Sequence, residues 1–110
     1  MNSIKTLYEE HVALWHLARD EMQGMPLDAP EWGLLYHDGD KLAGWCTQIA
    51  ANNRIRSNEL QQLKAFPALD EAGPYAAWIQ EIKTSKPRVF DYVRKLEEMR
   101  LALLQAIDAT

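Results

Sequence analysis

Residues 86–108 read KPRVFDYVRKLEEMRLALLQAID, the longest uninterrupted helical pattern in the chain. Apolar side chains recur here at spacings of three and four, which predicts an amphipathic helix. One stripe consists of Val89, Tyr92, Leu96, Met99, Leu103 and Ile107, and a second consists of Phe90, Val93, Leu101 and Leu104, with Glu97 in its middle. Pro87 suits the first helical position, where its missing N–H leaves no hydrogen bond unmade. Two adjacent stripes predict that the helix contacts two neighbours, and the second neighbour can belong to another chain.

Helical patterns joined by short loops also cover the rest of the sequence. The first spans about residues 3–23, with Ser3 as its cap and Gly24 at its end. Further helices are predicted over residues 30–37, 40–54, 58–66 and 74–84. The sequence therefore predicts a single compact all-α domain over residues 1–110, with five or six helices and the long ones at the two ends. Its core is expected to include Trp15, Leu96 and Leu103.

Residues 32–46 allow a second interpretation. Asp38-Gly39 between two apolar runs is a strong hairpin signal, in which Trp32 would face Trp45. Against this, residues 40–54 carry an apolar helical stripe behind a good cap, Asp40, and contain only two β-branched residues. We expect a helix over residues 40–54, preceded by a break at residues 37–40. The alternative is an α+β fold with a small β-hairpin near residues 32–46.

The length and the cysteine content limit the classes of protein to which the chain can belong. The chain has 110 residues, enough for one domain. A single cysteine, Cys46, excludes an internal disulfide and disfavours a zinc site. The N-terminal residues include Lys5, Glu9 and Glu10 and contain no apolar run of signal-peptide or transmembrane length. These features predict a cytoplasmic protein without a membrane segment.

The charge is unevenly distributed along the chain. The formal net charge is −4, but residues 1–40 hold two basic and eight acidic residues, a net charge of −6. Residues 41–110 carry a net charge of +2. Such asymmetry is typical either of an acidic face that meets a basic partner or of ordinary solvated helix surfaces.

The histidines are the first candidates for catalytic residues or metal ligands. His11 lies within the apolar stripe of the first helix, where a buried imidazole needs a partner and can serve as a general base. His16 and Asp20 share a helix face and suit two metal ligands, but no third ligand follows at a fitting distance. Cys46 lies on the apolar side of its helix, as a small hydrophobic residue does. We therefore expect no catalytic residue, metal or cofactor, and keep a small metal-dependent or hydrolytic enzyme as a third hypothesis.

A basic stretch near the start of the last helix provides the alternative function. It consists of Lys83, Lys86, Arg88, Arg94 and Lys95, interleaved with Phe90 and Tyr92. Such a cluster can follow a phosphate backbone and favours a nucleic-acid-associated regulator. The acidic overall balance and the absence of a known nucleic-acid-binding motif argue against it.

The second stripe of the last helix is the leading candidate for a partner surface. Arg100 projects among apolar positions with Glu97 three residues before it, which indicates either a local ion pair at the core edge or a partner-facing patch. The predicted partner-binding residues are Phe90, Glu97, Arg100, Leu101 and Leu104, together with Trp32 and Tyr36 from the aromatic middle of the chain. The main hypothesis is a small non-catalytic protein-binding module of inhibitor, immunity or accessory type, of the kind that a phage or mobile element can carry. A homodimer through the last helix is its simplest form.

Overall fold

Every regular element of the described chain is helical. The computed structural model describes residues 4–52 and 55–108, and no strand occurs among them. The elements are α1 (Ile4–Glu21), the single turn α2 (Pro30–Gly33), a π-helical turn (Leu34–Asp38), α3 (Gly39–Asn52), α4 (Ser57–Ala65), α5 (Ala76–Ser85) and α6 (Pro87–Asp108). The all-α prediction is confirmed, with the long helices at the two ends; the predicted cap Ser3 lies outside the described residues.

Helices α1 and α6 pack antiparallel along most of their lengths. At one end of the pair, Glu21 Oε1 accepts hydrogen bonds from the backbone N–H groups of Arg88 and Val89, at 2.9 and 3.0 Å. Further along, Lys95 Nζ lies 3.3 Å from Glu10 Oε1. The first N–H groups of a helix have no partner within the helix itself. The last residue of α1 therefore caps the first turn of α6 and fixes how the two helices meet.

The chain from α2 to α3 is one continuous helical run. The predicted break at residues 37–40 is wrong, because the π-helical turn carries the helix from α2 into α3. The hairpin alternative is excluded as well, since Trp32 and Trp45 both lie in helices. The predicted helix over residues 40–54 is confirmed as far as Asn52, and residues 53 and 54 lie outside the described chain.

Glu31, in α2, bonds to a distant helix and not to the N-terminus of its own helix. Asp28 and Glu31 have the spacing of a helix capping box. Glu31 is instead buried, and its Oε1 accepts a hydrogen bond from the Trp78 indole N–H at 3.0 Å. A buried carboxylate requires such a partner. The bond ties α2 to α5, which are far apart in sequence.

The core lies between α6 and the shorter helices. Its largest fully buried side chains are Tyr92, Met22, Leu35, Leu42, Leu63, Ile79, Ile82, Leu96, Met99, Leu103, Val89 and Val93. The burial predicted for Leu96 and Leu103 is confirmed. Trp15 packs against this core as a partly buried side chain, and it also borders a surface cleft.

The ends of the helices follow local chemistry. Gly24 has a φ of +87°, a left-handed conformation that glycine adopts without a Cβ clash, and it lies just after α1 as predicted. The break before α6 falls at Lys86, ahead of Pro87, because the residue before a proline avoids the helical region.

None of the described helices combines the length and the apolar character that crossing a membrane requires.

Candidate functional site

An open cleft separates α1 from the π-helical turn and the start of α3. It has a volume of about 240 Å³. Its lining residues are Tyr8, His11, Val12 and Trp15 from α1, Leu35 and Tyr36 from the π-helical turn, and Asp40 and Ala43 from α3. Leu35, Ala43 and His11 are buried and form its floor, whereas Tyr8, Tyr36 and Asp40 are exposed. We call this feature the aromatic cleft.

Tyr36 lies between two tryptophans. Its ring is perpendicular to Trp15, with centroids 5.9 Å apart and an interplanar angle of 86°. On the other side it stacks on Trp32 at 5.9 Å and 18°. The Trp15 indole N–H donates to the carbonyl of Leu35 at 3.4 Å, which links α1 to the π-helical turn. These contacts hold Tyr36 in place although 51% of it is exposed.

Leu35 and Tyr36, both in the π-helical turn, point to different environments. A π-turn accommodates an extra residue and rotates the following side chains relative to a regular α-helix. Leu35 is 2% exposed and joins the core, while its neighbour Tyr36 is at the surface. Turns of this kind are frequent at functional sites. This turn could not be predicted from the sequence, because residues 37–40 also have the pattern of a helix break.

His11 forms part of the floor of the aromatic cleft. Its ring stacks on Tyr92 at 5.6 Å and 29°. Its Nδ1 lies 3.2 Å from the carbonyl of Tyr8, and because a carbonyl can only accept, Nδ1 carries a proton. Burial lowers the pKa of His11, an effect that the Tyr8 carbonyl and the nearby Asp40 partly oppose. The imidazole is therefore a neutral structural group with an apolar neighbour, as a core histidine is.

Tyr92, below His11, has an unusual hydroxyl. The residue is fully buried, and among the described residues its OH has no hydrogen-bond partner. Burial raises the pKa of Tyr92, and the negative charges of Asp40 and Asp38 add to that effect. The phenol is therefore neutral.

Asp40 is the charged residue of the aromatic cleft. It is exposed, and it forms no ion pair with any residue in the described ranges 4–52 and 55–108. Asp38, two residues earlier, is half-buried and has Lys41 and His37 nearby, which oppose the rise in its pKa caused by burial. The cleft thus combines aromatic walls with one unpaired carboxylate.

A second groove, of about 500 Å³, lies between α5, α6 and the loop that precedes α5. Its lining residues are Leu69, Asp70, Glu71, Ile79, Lys83, Phe90, Arg94, Glu97 and Glu98. Lys83 Nζ is 3.4 Å from Glu71 Oε1. The cationic groups of Lys83 and Arg94 each lie 5.9 Å from the Phe90 ring centroid. Four acidic and two basic residues line this groove, so it has no single sign of charge.

The predicted stripe on α6 is partly covered by the chain itself. Arg100 pairs with Glu97 through two hydrogen bonds of 2.7 Å, and both side chains are 12% exposed. Glu97 Oε1 also accepts the backbone N–H of Leu69 at 2.9 Å, so the loop before α5 lies over this face. Of the two interpretations of the Glu97–Arg100 pair, the local ion pair is the one observed. Phe90 and Leu104 are half-buried against the core, and Leu101 is 47% exposed.

The five residues of the predicted basic stretch lie in different surroundings. Lys95 lies between Glu10 and Glu98, at 3.3 and 3.2 Å. Lys83 and Arg94 border the second groove with its four carboxylates. Lys86 is half-buried and Arg88 is exposed at the start of α6. Two of the five basic residues, Lys83 and Lys95, are therefore paired with carboxylates of the described chain.

The candidate metal and nucleophile residues lie apart from one another. His16 packs edge-on against Trp15 at 5.1 Å. Cys46 is buried, and burial raises the pKa of its thiol to about 12, so it is not a thiolate. Within residues 4–52 and 55–108, no group of three or more His, Cys, Asp or Glu side chains has the geometry to hold a metal ion.

The sequence pointed to Tyr36 of the aromatic cleft and to Trp32, which stacks on it, but not to Tyr8, Val12 or Asp40 as site residues. Tyr8 and Val12 lie on the broad apolar face of the first helix. A usable signal was present: that face is broader than one helical neighbour can cover, so part of it had to border a surface.

Comparison of the chain with protein-family models, with curated proteins and with solved structures found no match.

Proposed function

We propose that this chain is a non-catalytic module that binds another protein through the aromatic cleft, as an inhibitor, immunity or accessory protein does. The observation that carries the proposal is Tyr36, a large aromatic side chain that is half-exposed and yet fixed between Trp15 and Trp32. Tyrosine and tryptophan are enriched where proteins meet, because they offer large contact areas with a polar edge.

The position of the exposed apolar residues supports the same function. Tyr8, Val12 and Tyr36 are 36%, 38% and 51% exposed, and all three border one cavity. Single exposed apolar residues are ordinary, whereas adjacent ones mark interaction sites. The stacking of Tyr36 also lowers the conformational entropy that it loses on binding.

The test is a comparison of captured proteins between three forms of the immobilised chain: wild type, Tyr36→Ala and Tyr75→Ala. Tyr75 is a matched control, since it is 43% exposed and also packs edge-on against a tryptophan, Trp78, outside the aromatic cleft. We expect wild type and Tyr75→Ala to retain the same partner proteins. We expect Tyr36→Ala to lose them. Hot-spot aromatic residues cost at least about 2 kcal/mol when truncated, or roughly 30-fold in affinity.

Thermal unfolding of both variants provides the control for folding. Equal retention by folded Tyr36→Ala and wild type, with each protein identified by mass spectrometry, would exclude the aromatic cleft as the binding surface.

A further inference from the structure

The aromatic cleft contains the elements of a site for a positively charged side chain. Among its lining residues, Asp40 carries a charge, and it forms no ion pair with the described residues. The imidazole in the floor, His11, is buried and adds no positive charge to oppose a cation. A cation at this point would therefore meet one negative charge within a largely apolar wall.

The rings of the cleft have faces that attract cations. An ammonium or guanidinium group within about 6 Å of an aromatic centroid is attracted by the electron density of the ring, most strongly for tryptophan. The fold already uses this property, since the Arg19 guanidinium lies 5.3 Å from the Trp15 ring centroid. Trp15 and Tyr36 are perpendicular, with their ring centroids 5.9 Å apart, so their faces point in different directions.

The neighbouring basic residues leave Asp40 free. Lys41 acts on Asp38, and Arg19 lies over Trp15 without being part of the cleft lining. Residues 1–40, which supply most of the cleft, carry two basic and eight acidic residues, a net charge of −6. A segment with this excess of acidic residues favours a basic partner over an acidic one during encounter and in the complex.

We infer that the aromatic cleft binds an arginine or lysine side chain of a basic partner protein, with the cation against Trp15, Tyr36 and Tyr8 and paired with Asp40. This inference rests on the proposed function and names the chemistry that the partner presents. Arginine is the better occupant, because its planar guanidinium stacks on aromatic faces and pairs with a carboxylate at the same time.

The experiment is an NMR titration of the full chain that follows the indole N–H resonance of Trp15. The probes are N-acetyl-arginine amide, N-acetyl-lysine amide and N-acetyl-norleucine amide, the last being an uncharged analogue of the lysine side chain. We expect the arginine probe to bind most tightly and the norleucine probe least tightly. Asp40→Asn should weaken binding of the cationic probes about two- to fivefold, the usual value of an exposed ion pair, and leave the norleucine probe unchanged.

Asp20→Asn is the matched control, because Asp20 is an exposed acid on α1 that does not line the cleft, and its removal changes the net charge equally. Equal binding of the norleucine and arginine probes, or an equal response of Asp40→Asn and Asp20→Asn, would overturn the inference. If the norleucine and arginine probes bind equally, the cleft has no preference for a cation. The proposed protein-binding function would still stand, because the cleft would still bind an apolar side chain. Failure of the proposed function is distinct, since there Tyr36→Ala leaves the captured proteins unchanged.

Discussion

His11 connects the aromatic cleft to the core through one side chain. Its ring is 7% exposed, stacks on Tyr92 and contacts the Tyr8 carbonyl through Nδ1. Charging it would place a cation on the buried face of α1, with Asp40 as the nearby acid that partly offsets the cost. Folding therefore favours the neutral ring.

This preference predicts a loss of stability in mild acid. The pKa of His11 is lowered in the folded state from 6.5, so the unfolded chain binds the proton more tightly. Above pH 6.5, His11 is neutral in both states and does not lower the free energy of unfolding. As the pH falls from 6.5 towards the folded-state pKa of His11, the free energy of unfolding decreases by at most about 1.4 kcal/mol per pH unit. Urea unfolding at pH 7.5 and at pH 5.5 measures the loss.

His11→Gln separates this effect from the titration of the many carboxylates. The variant lacks the imidazole, so the stability difference between wild type and variant should become smaller, or change sign, as the pH falls. A difference that stays constant between the two pH values would mean that His11 titrates alike in the folded and unfolded chains.

At the scale of the elements, the α1–α6 contact depends on a cap that comes from another helix. Glu21 accepts two backbone N–H groups at the start of α6, from Arg88 and Val89, and its charge lies at the positive end of that helix. We expect Glu21→Ala to lower the free energy of unfolding by about 0.5–2 kcal/mol, the usual range for a lost cap. Chemical denaturation checks this value.

Asp20→Ala is the control for Glu21→Ala. Asp20 is an exposed acid one residue earlier, and its removal changes the net charge by the same amount. A similar loss of stability in both variants would assign the effect to general electrostatics and not to the cap.

The elements also show how far the sequence determines the structure. The pattern in residues 87–108 predicted α6 with its observed bounds, because Pro87 and a regular apolar spacing act locally. Glu21 as a cap, the Glu31–Trp78 bond and the Glu97–Leu69 bond could not be predicted, since they join residues 67, 47 and 28 positions apart. The aromatic cleft depends on the π-helical turn, whose Asp-Gly signal is shared by hairpins and breaks.

At the scale of the whole molecule, the question is how much of α6 remains available to a second chain. The sequence predicted that Phe90, Leu101 and Leu104 would form an apolar strip if no other element covered them. In the folded chain Phe90 and Leu104 are half-buried against the core, and the Glu97–Arg100 pair between them is bonded to Leu69 of the same chain. Stable interfaces bury about 800 Å² on each partner, far more than one leucine provides.

We therefore expect the purified chain to be monomeric and insensitive to Leu101→Asp. Leu101 is 47% exposed and lies on the outer face of α6, so the substitution should change the free energy of unfolding by less than about 0.5 kcal/mol. Light scattering of wild type and variant should give the same mass, that of one chain. A wild-type mass of two chains that Leu101→Asp halves would establish a homodimer through α6. Leu103→Ala is the contrasting variant: Leu103 is fully buried two residues further on, and its truncation should cost about 2–5 kcal/mol.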